Sequence, residues 1–354
     1  MKISQMLERE DFYTINERTL NSFFESNDKS GEVLYIYPRL NAIVSKKPSK
    51  KVIEYLLCEY SVRGNKVKQV AAQAYVWCCM KTLGLFSSKK CFIPKRNCSS
   101  LLIYPCNKKY RIFDFKQNTV AVIGKYGFSN SDLQHEIEFR KRDDLPDFVP
   151  RFVSFYENGY EEKIIDGRPL ARISDDFESL CHQAYRLLQQ YGLSYQKTVS
   201  ANEYVATLKA NILHLLNQKP SNRKIVENLM EMLALSISEN GTVTLTFSHG
   251  DLQSGNIWVE NGTGKIYIID WESWGIRSNW YDKATLFQNL RPGDIQGYLV
   301  DRELDLECAI VLLEDLEFHL NELNSLPGDF GKKQFERYCN EIMCWLKRGD
   351  ENGK

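Results

Sequence analysis

The sequence has 354 residues, enough for two domains or one large two-lobed one with a full hydrophobic core. Lysine plus arginine total 46, as do aspartate plus glutamate, so the net charge is zero and no general attraction to nucleic acid or an anionic membrane is expected. Hydrophobic residues make up 43% and charged residues 26%, the mix of an ordinary globular chain.

The start, "MKISQMLEREDFYTINERTL", is charged throughout and has no apolar core of a signal peptide. No later run approaches the roughly 20 apolar residues a membrane helix needs, so a cytoplasmic location with reduced thiols is expected. "EVLYIYPRLNAIV" has the β-branched and aromatic content of a strand, and residues 51–86 predict two helices broken near Gly64. The basic run "SSKKCFIPKRN" is expected to be a solvated linker. Ten cysteines are present without a Cys-x-x-Cys pair, so Cys91, Cys98 and Cys106 are expected to be isolated thiols, not metal ligands.

The texture then changes. "SSLLIYP", "YRIFDF" and "TVAVIGKYG" predict a three-stranded antiparallel meander. "SNSDLQHEIEFRKRDD" predicts a helix capped by Ser129 or Ser131. Two more strands flank the Asn158-Gly159 turn, ending in "EEKIIDGRPL". Helical patterns follow over residues 177–191, 200–217 and 222–239, then short strands and turns, then helices from about Tyr281 to the end. A strand-rich unit thus precedes a larger helical one. On the acidic run "DRELDLECAIVLLEDLEF", Glu303, Glu307 and Glu314 are expected on a solvated helix face.

The chemistry concentrates in "FSHGDLQSGNIWVENGTGKIYIIDWE", residues 247–272. Asp251 sits on a turn where Gly250 permits an unusual backbone angle, and Asn256 follows five residues later. Asp270 ends the apolar run "KIYII". A carboxylate that can orient a hydroxyl, beside an Asn–Asp pair of hard oxygen ligands, suits Mg2+ and a polyphosphate. Phosphoryl transfer needs that set.

His-Gly-Asp, four residues, Asn, and then a hydrophobic strand ending in Asp resembles the catalytic segment of the aminoglycoside phosphotransferase and choline kinase family. The resemblance implies an α+β, bilobal protein-kinase-like fold, with a small antiparallel-sheet N-lobe and a larger, mainly helical C-lobe. It spans about residues 95–300. The expected organisation is an N-terminal mixed or helical extension of unassigned role over residues 1–90, a nucleotide-binding N-lobe over 91–166 and a catalytic C-lobe over 167–354. By the resemblance, Asp251 is the catalytic base, Asn256 and Asp270 are the metal ligands, and Asp282 braces the catalytic turn. Lys125 resembles the strand lysine that holds the phosphates, its plainer alternative being an ordinary strand-end lysine. Glu136 is its expected ion-pair partner, with Glu138 one step away. Backbone groups around Glu162 to Ile164 would meet adenine. The turn "CNKK" departs from the glycine-rich loop of many kinases.

The implied activity is transfer of the γ-phosphoryl group of ATP, with Mg2+, to a hydroxyl of a small molecule such as an amino alcohol, a sugar or an aminoglycoside. No nucleic-acid or membrane partner is expected. The alternative is a catalytically silent kinase-like nucleotide-binding or scaffold protein.

Overall fold

The computed structural model describes residues 11–24, 31–59, 66–106, 108–172, 176–218, 222–237, 241–290, 295–326 and 331–352. The expected helix break near Gly64, the tip of the "CNKK" turn and the end of the helix expected to reach Glu239 lie outside them. Two compact units divide the chain: Met1–Leu180 with Ser254–Glu272, and Cys181–Gln253 with Ser273–Lys354.

The first unit is built on an eight-stranded antiparallel sheet. Helix α1 (Asp11–Phe23) precedes β1 (Glu32–Tyr37) and β2 (Ala42–Ser45), and α2 (Lys50–Glu59) and α3 (Lys66–Lys81) follow. Then come β3 (Lys89–Ile93), β4 (Leu101–Pro105), β5 (Lys109–Asp114), β6 (Thr119–Gly124), helix α4 (Ser131–Arg140), β7 (Phe152–Tyr156) and β8 (Gly159–Lys163). The strand order is β3-β1-β2-β4-β5-β6-β8-β7. The β4–β5–β6 meander and the β7–β8 hairpin are as the sequence predicts. The helix α4 is preceded by Asn130 in place of the predicted serine caps, with no side-chain cap hydrogen bond.

Two expectations are overturned here. The boundary near residue 90 does not divide the sheet, because β1, β2 and β3 continue it on the far side of β4. The basic run is not a linker: residues 89–93 pair with β1, and alternation sends Cys91 and Ile93 into the core while Lys89 and Lys90 stay exposed. Strand pairing across more than fifty residues outweighs the local charge.

Alternation also sorts the sheet's two faces. Leu34, Ile36, Cys91, Ile93, Leu101, Ile103, Tyr110, Ile112, Ala121 and Ile123 cluster with Leu20 of α1. On the other face Tyr35, Tyr37, Leu102, Phe113 and Val120 pack against Val52 and Leu56 of α2 and Val76, Cys79 and Met80 of α3. Val122 and Tyr160 meet Leu133 and Ile137 of α4 on that same face.

A short strand, β9 (Gly167–Pro169), ends this run. Helix α5 (Phe177–Gly192), β10 (Lys197–Ser200), α6 (Ala201–Gln218), α7 (Arg223–Leu235) and β11 (Thr242–Ser248) follow. The chain then gives β12 (Ile257–Glu260) and β13 (Ile266–Ile268) back to the first unit, where β12 pairs with both β13 and β9. Residues 167–180 and 254–272, expected in the C-lobe, thus fall in the first unit. Last come β14 (Gly275–Ser278), which pairs with β11, then α8 (Tyr281–Phe287), α9 (Gln296–Leu299), α10 (Leu306–Ser325) and α11 (Lys332–Asn352). Apolar stripes from α6, α7, α10 and α11 form the second unit's core. Among the described residues no helix is long and apolar enough to cross a membrane.

Glu314 on α10 corrects the solvated-face expectation, being 1% exposed. Its carboxylate accepts hydrogen bonds from the Tyr204 hydroxyl, the Ser278 hydroxyl and the Ser278 N–H. Burial pushes its carboxyl from 4.5 up to about 7, against those donors. A raised folded-state value favours the protonated form, so the native state is fully stabilised below about pH 4.5 and loses up to about 3 kcal/mol as pH rises to about 7. Glu314→Gln is expected to lack this loss: relative to wild type, its melting midpoint rises between pH 5 and pH 8. A constant difference between the two proteins across that window would refute the assignment.

Candidate active site

Two groups of residues carry the chemistry, one in each unit. In the first unit Lys109 opens β5, and alternation puts Lys109, Arg111 and Phe113 on the face toward α4. The Lys109 ammonium pairs with Glu136 at 3.1 Å, with Glu272 at 2.9 Å and with Asp270. Arg111 lies 3.5 Å from Asp270. Glu136, fully buried on α4, also accepts from the Tyr160 hydroxyl at 2.8 Å and the Trp271 N–H at 3.1 Å. Trp271 is held by ring stacking on Phe139 and by its indole N–H, which donates to the Ile268 carbonyl.

The electrostatics follow from this crowding. Burial alone pushes the Lys109 ammonium down, but Asp270, Glu136 and Glu272 together hold it well above its ordinary value. Burial raises Glu136 too, and here Lys109 and Arg140 win, leaving it below the usual carboxylate range. Glu272 goes the other way, pushed by burial up to about 7 despite Lys109. Lys109, Arg111 and Arg140 thus face four carboxylates, Glu136, Glu162, Asp270 and Glu272. One oxygen from each of Glu136, Asp270 and Glu272 lies within 4.8 Å of the others, and the Lys109 ammonium pairs with all three acids. An all-oxygen set of this kind would suit a hard divalent cation.

Asp270 has φ +72°, a left-handed conformation that Asp and Asn tolerate better than other non-glycine residues. Strain at a charged residue of this kind marks functional positions. The carbonyl of Asn256 accepts the Ile269 N–H at 2.9 Å, so the backbone ties the two expected metal ligands, Asn256 and Asp270, into one short hairpin register.

The structure pairs Glu136 with a different lysine from the one expected. Glu136 takes Lys109 as its lysine partner, not Lys125. Lys109 stands directly opposite Gly124 in the β5–β6 register, so the place the resemblance gives to a β6 lysine is filled from the neighbouring strand. A side chain at 124 itself would collide with the Asn130 carboxamide. Lys125, one residue on, donates to the Cys106 carbonyl and lines a cavity of about 740 Å³ with Thr19, Ile112 and Ile123, on the opposite face. Burial lowers its ammonium to about 8. The clue in the sequence is the pair Lys109 and Arg111 at period two in a strand whose other face is Tyr110 and Ile112.

The base-contact expectation shifts as well. Glu162 is buried and pairs with Arg140 at 2.8 Å. The Lys163 N–H donates to the Arg151 carbonyl and the Ile164 N–H to the Asn118 carbonyl, because β8 is an interior strand. Those donors are spent in the sheet. Glu272 was missed by sequence reasoning, since nothing local distinguishes it from a surface acid.

In the second unit the turn after β11 holds His249, Gly250 and Asp251. Asp282 at the start of α8 accepts the N–H groups of His249 at 2.9 Å and Gly250 at 3.1 Å, the bracing expected of it. His249 is fully buried, and its Nδ1 accepts the Asp251 N–H at 3.2 Å. Gly250 has φ +81°, and a Cβ there would strike the Ser273 carbonyl. The Gln253 amide donates to Asp251 Oδ1, leaving the half-buried carboxylate oriented by its own loop.

An antiparallel sheet that buries a lysine–glutamate pair, followed by a helical unit whose His-Gly-Asp turn is braced from the next helix, is the protein-kinase-like fold. Within that class residues 117–291 match the family model described as choline/ethanolamine kinase. No curated protein matches the chain. Similar solved structures include choline kinase LicA from Streptococcus pneumoniae (19% identity, 69% of this chain and 91% of that one, TM-score 0.44). Plasmodium vivax ethanolamine kinase is 16% identical over 85% of this chain and 95% of its own, with TM-score 0.42. A thermostable mutant of aminoglycoside phosphotransferase APH(4)-Ia, in complex with ADP and hygromycin B, is 13% identical over 71% and 94%, with TM-score 0.48.

Proposed function

We propose that the protein transfers the γ-phosphoryl group of ATP, with Mg2+, to a hydroxyl of a small molecule, an amino alcohol, a sugar or an aminoglycoside-like compound. The observation that carries this is the clustering of Glu136, Asp270 and Glu272 around Lys109, in a chain whose residues 117–291 match a choline/ethanolamine kinase model. Asp270 and Asn256 would hold the cation, with Glu272 within reach of Asp270. Mg2+, when bound, neutralises charge on the phosphates. Lys109, released from Asp270, would pair with the phosphates while Glu136 keeps it aimed. The Asp251 carboxylate would align the acceptor hydroxyl and take its proton as oxygen bonds to the γ-phosphorus. The bond from that phosphorus to the β–γ bridging oxygen breaks, and ADP leaves with the electron pair.

Thermal melting with ATP or GTP, each with and without Mg2+, tests the first step, because a ligand that binds only the folded chain raises the midpoint. Asp270→Asn is the chosen variant, as Asn keeps the left-handed backbone that Ala would strain. A Mg2+-dependent rise in wild type that is lost in Asp270→Asn is expected. No rise with any nucleotide would refute the reading in favour of a silent scaffold.

A further inference from the structure

The face of the sheet that carries Lys109 turns aromatic further along β5. Tyr55 of α2 lies against Phe113 with ring centroids 5.0 Å apart and against Phe115 at 5.3 Å, tilted to both. Its remaining aromatic neighbour is Trp258 of β12, which faces it almost parallel, at 17° and 6.2 Å. Ile164, at the end of β8, packs on the same cluster as Tyr55. Trp258 is only 8% exposed, yet its indole N–H has no acceptor among the described residues. A buried donor left so is costly, and a ligand acceptor would relieve that cost. Helix α2 is anchored to the sheet, since Val52 and Leu56 are fully buried beneath it.

We propose that Tyr55 and Trp258 are the two walls of a slot for the purine base of the nucleotide, so that the N-terminal segment supplies a nucleotide-contact residue. The inference rests on the reading of Lys109 and Asp270 as the polyphosphate end of the same face. A ring stacked on both sides needs about 7 Å between its walls, so one of the two side chains must swing aside to admit it. The Trp258 indole N–H then donates to a ring nitrogen or carbonyl oxygen of the base.

The test is calorimetric titration of the full chain, in Mg2+, with ADP and with inorganic tripolyphosphate, which has no base. Tyr55→Ala is expected to weaken ADP about tenfold and leave tripolyphosphate unchanged, with Tyr55→Phe close to wild type. ADP affinity unchanged in Tyr55→Ala overturns the proposal, and tighter ADP binding overturns it too, because Tyr55 would then occupy the base's space. Wild type that binds neither ligand defeats the phosphotransferase reading itself. Should Tyr55→Ala fail to fold, indole fluorescence decides. ADP but not tripolyphosphate is expected to quench wild-type emission, and an equal quench in Trp258→Phe overturns the slot.

Discussion

Asp251→Asn is expected to lower turnover by about 10²–10⁴-fold while nucleotide affinity and the melting midpoint stay near wild type. The substitution removes one proton acceptor and little else. The turn is held by Asp282 on the His249 and Gly250 N–H groups and by His249 Nδ1 on the N–H of residue 251, and none of these contacts uses the Asp251 side chain. An Asn side chain can still accept from Gln253. The measurement is kcat with a responsive acceptor, beside the dissociation constant of the Mg2+–nucleotide. Undiminished kcat would remove Asp251 from the chemistry. A large loss of nucleotide affinity with intact kcat would make it a binding residue.

Lys109→Met is expected to have the larger effect on the whole molecule. It leaves Glu136, Asp270 and Glu272 crowded around a methionine of similar length with no ammonium between them. Breaking a buried ion pair by removing one partner costs about 3–5 kcal/mol. Turnover is expected to fall with it, because the ammonium proposed to pair with the phosphates is lost while Arg111, on the same face of β5, stays beside Asp270. The comparison is Lys125→Met. That ammonium is already pushed down to about 8 by burial and points to the Cys106 carbonyl on the other face. Its loss is expected to leave kcat/KM unchanged. Urea denaturation and steady-state kinetics of the two variants separate the assignments. Lost turnover in Lys125→Met with activity retained in Lys109→Met would reinstate the lysine expected from the sequence.

The pair also explains why Glu272 is the carboxyl that sits near 7. Three carboxylates share one ammonium, and the least well paired of them meets the burial cost.

Legibility varied with sequence distance. The elements of the meander, the β7–β8 hairpin and the helices of the second unit were readable, since period-two and period-3.6 patterns are local. The catalytic turn was readable for the same reason: Asp251, Asn256 and Asp270 lie within twenty residues, and glycine at 250 announces the turn. Asp282 braces the turn as the resemblance implies, and His249 supports it through its Nδ1.

What only the tertiary structure decided depends on parity and on distant pairing. Lys109 and Lys125 stand on neighbouring strands, and a single residue of register decides which one faces Glu136. Strand β3 looks like a charged linker until β1 offers it a partner, and Glu314 looks like a surface acid until Ser278 and Tyr204 enclose it. The first ninety residues carry no motif, yet their strands extend the sheet and α2 sets Tyr55 against Trp258. By itself the sequence determined which candidate residues stand together in segment 247–272, because they lie close along the chain. Which lysine, which second acid and which aromatic join it was decided by the fold, because backbone hydrogen bonding between strands far apart in the chain sets the face on which each side chain emerges.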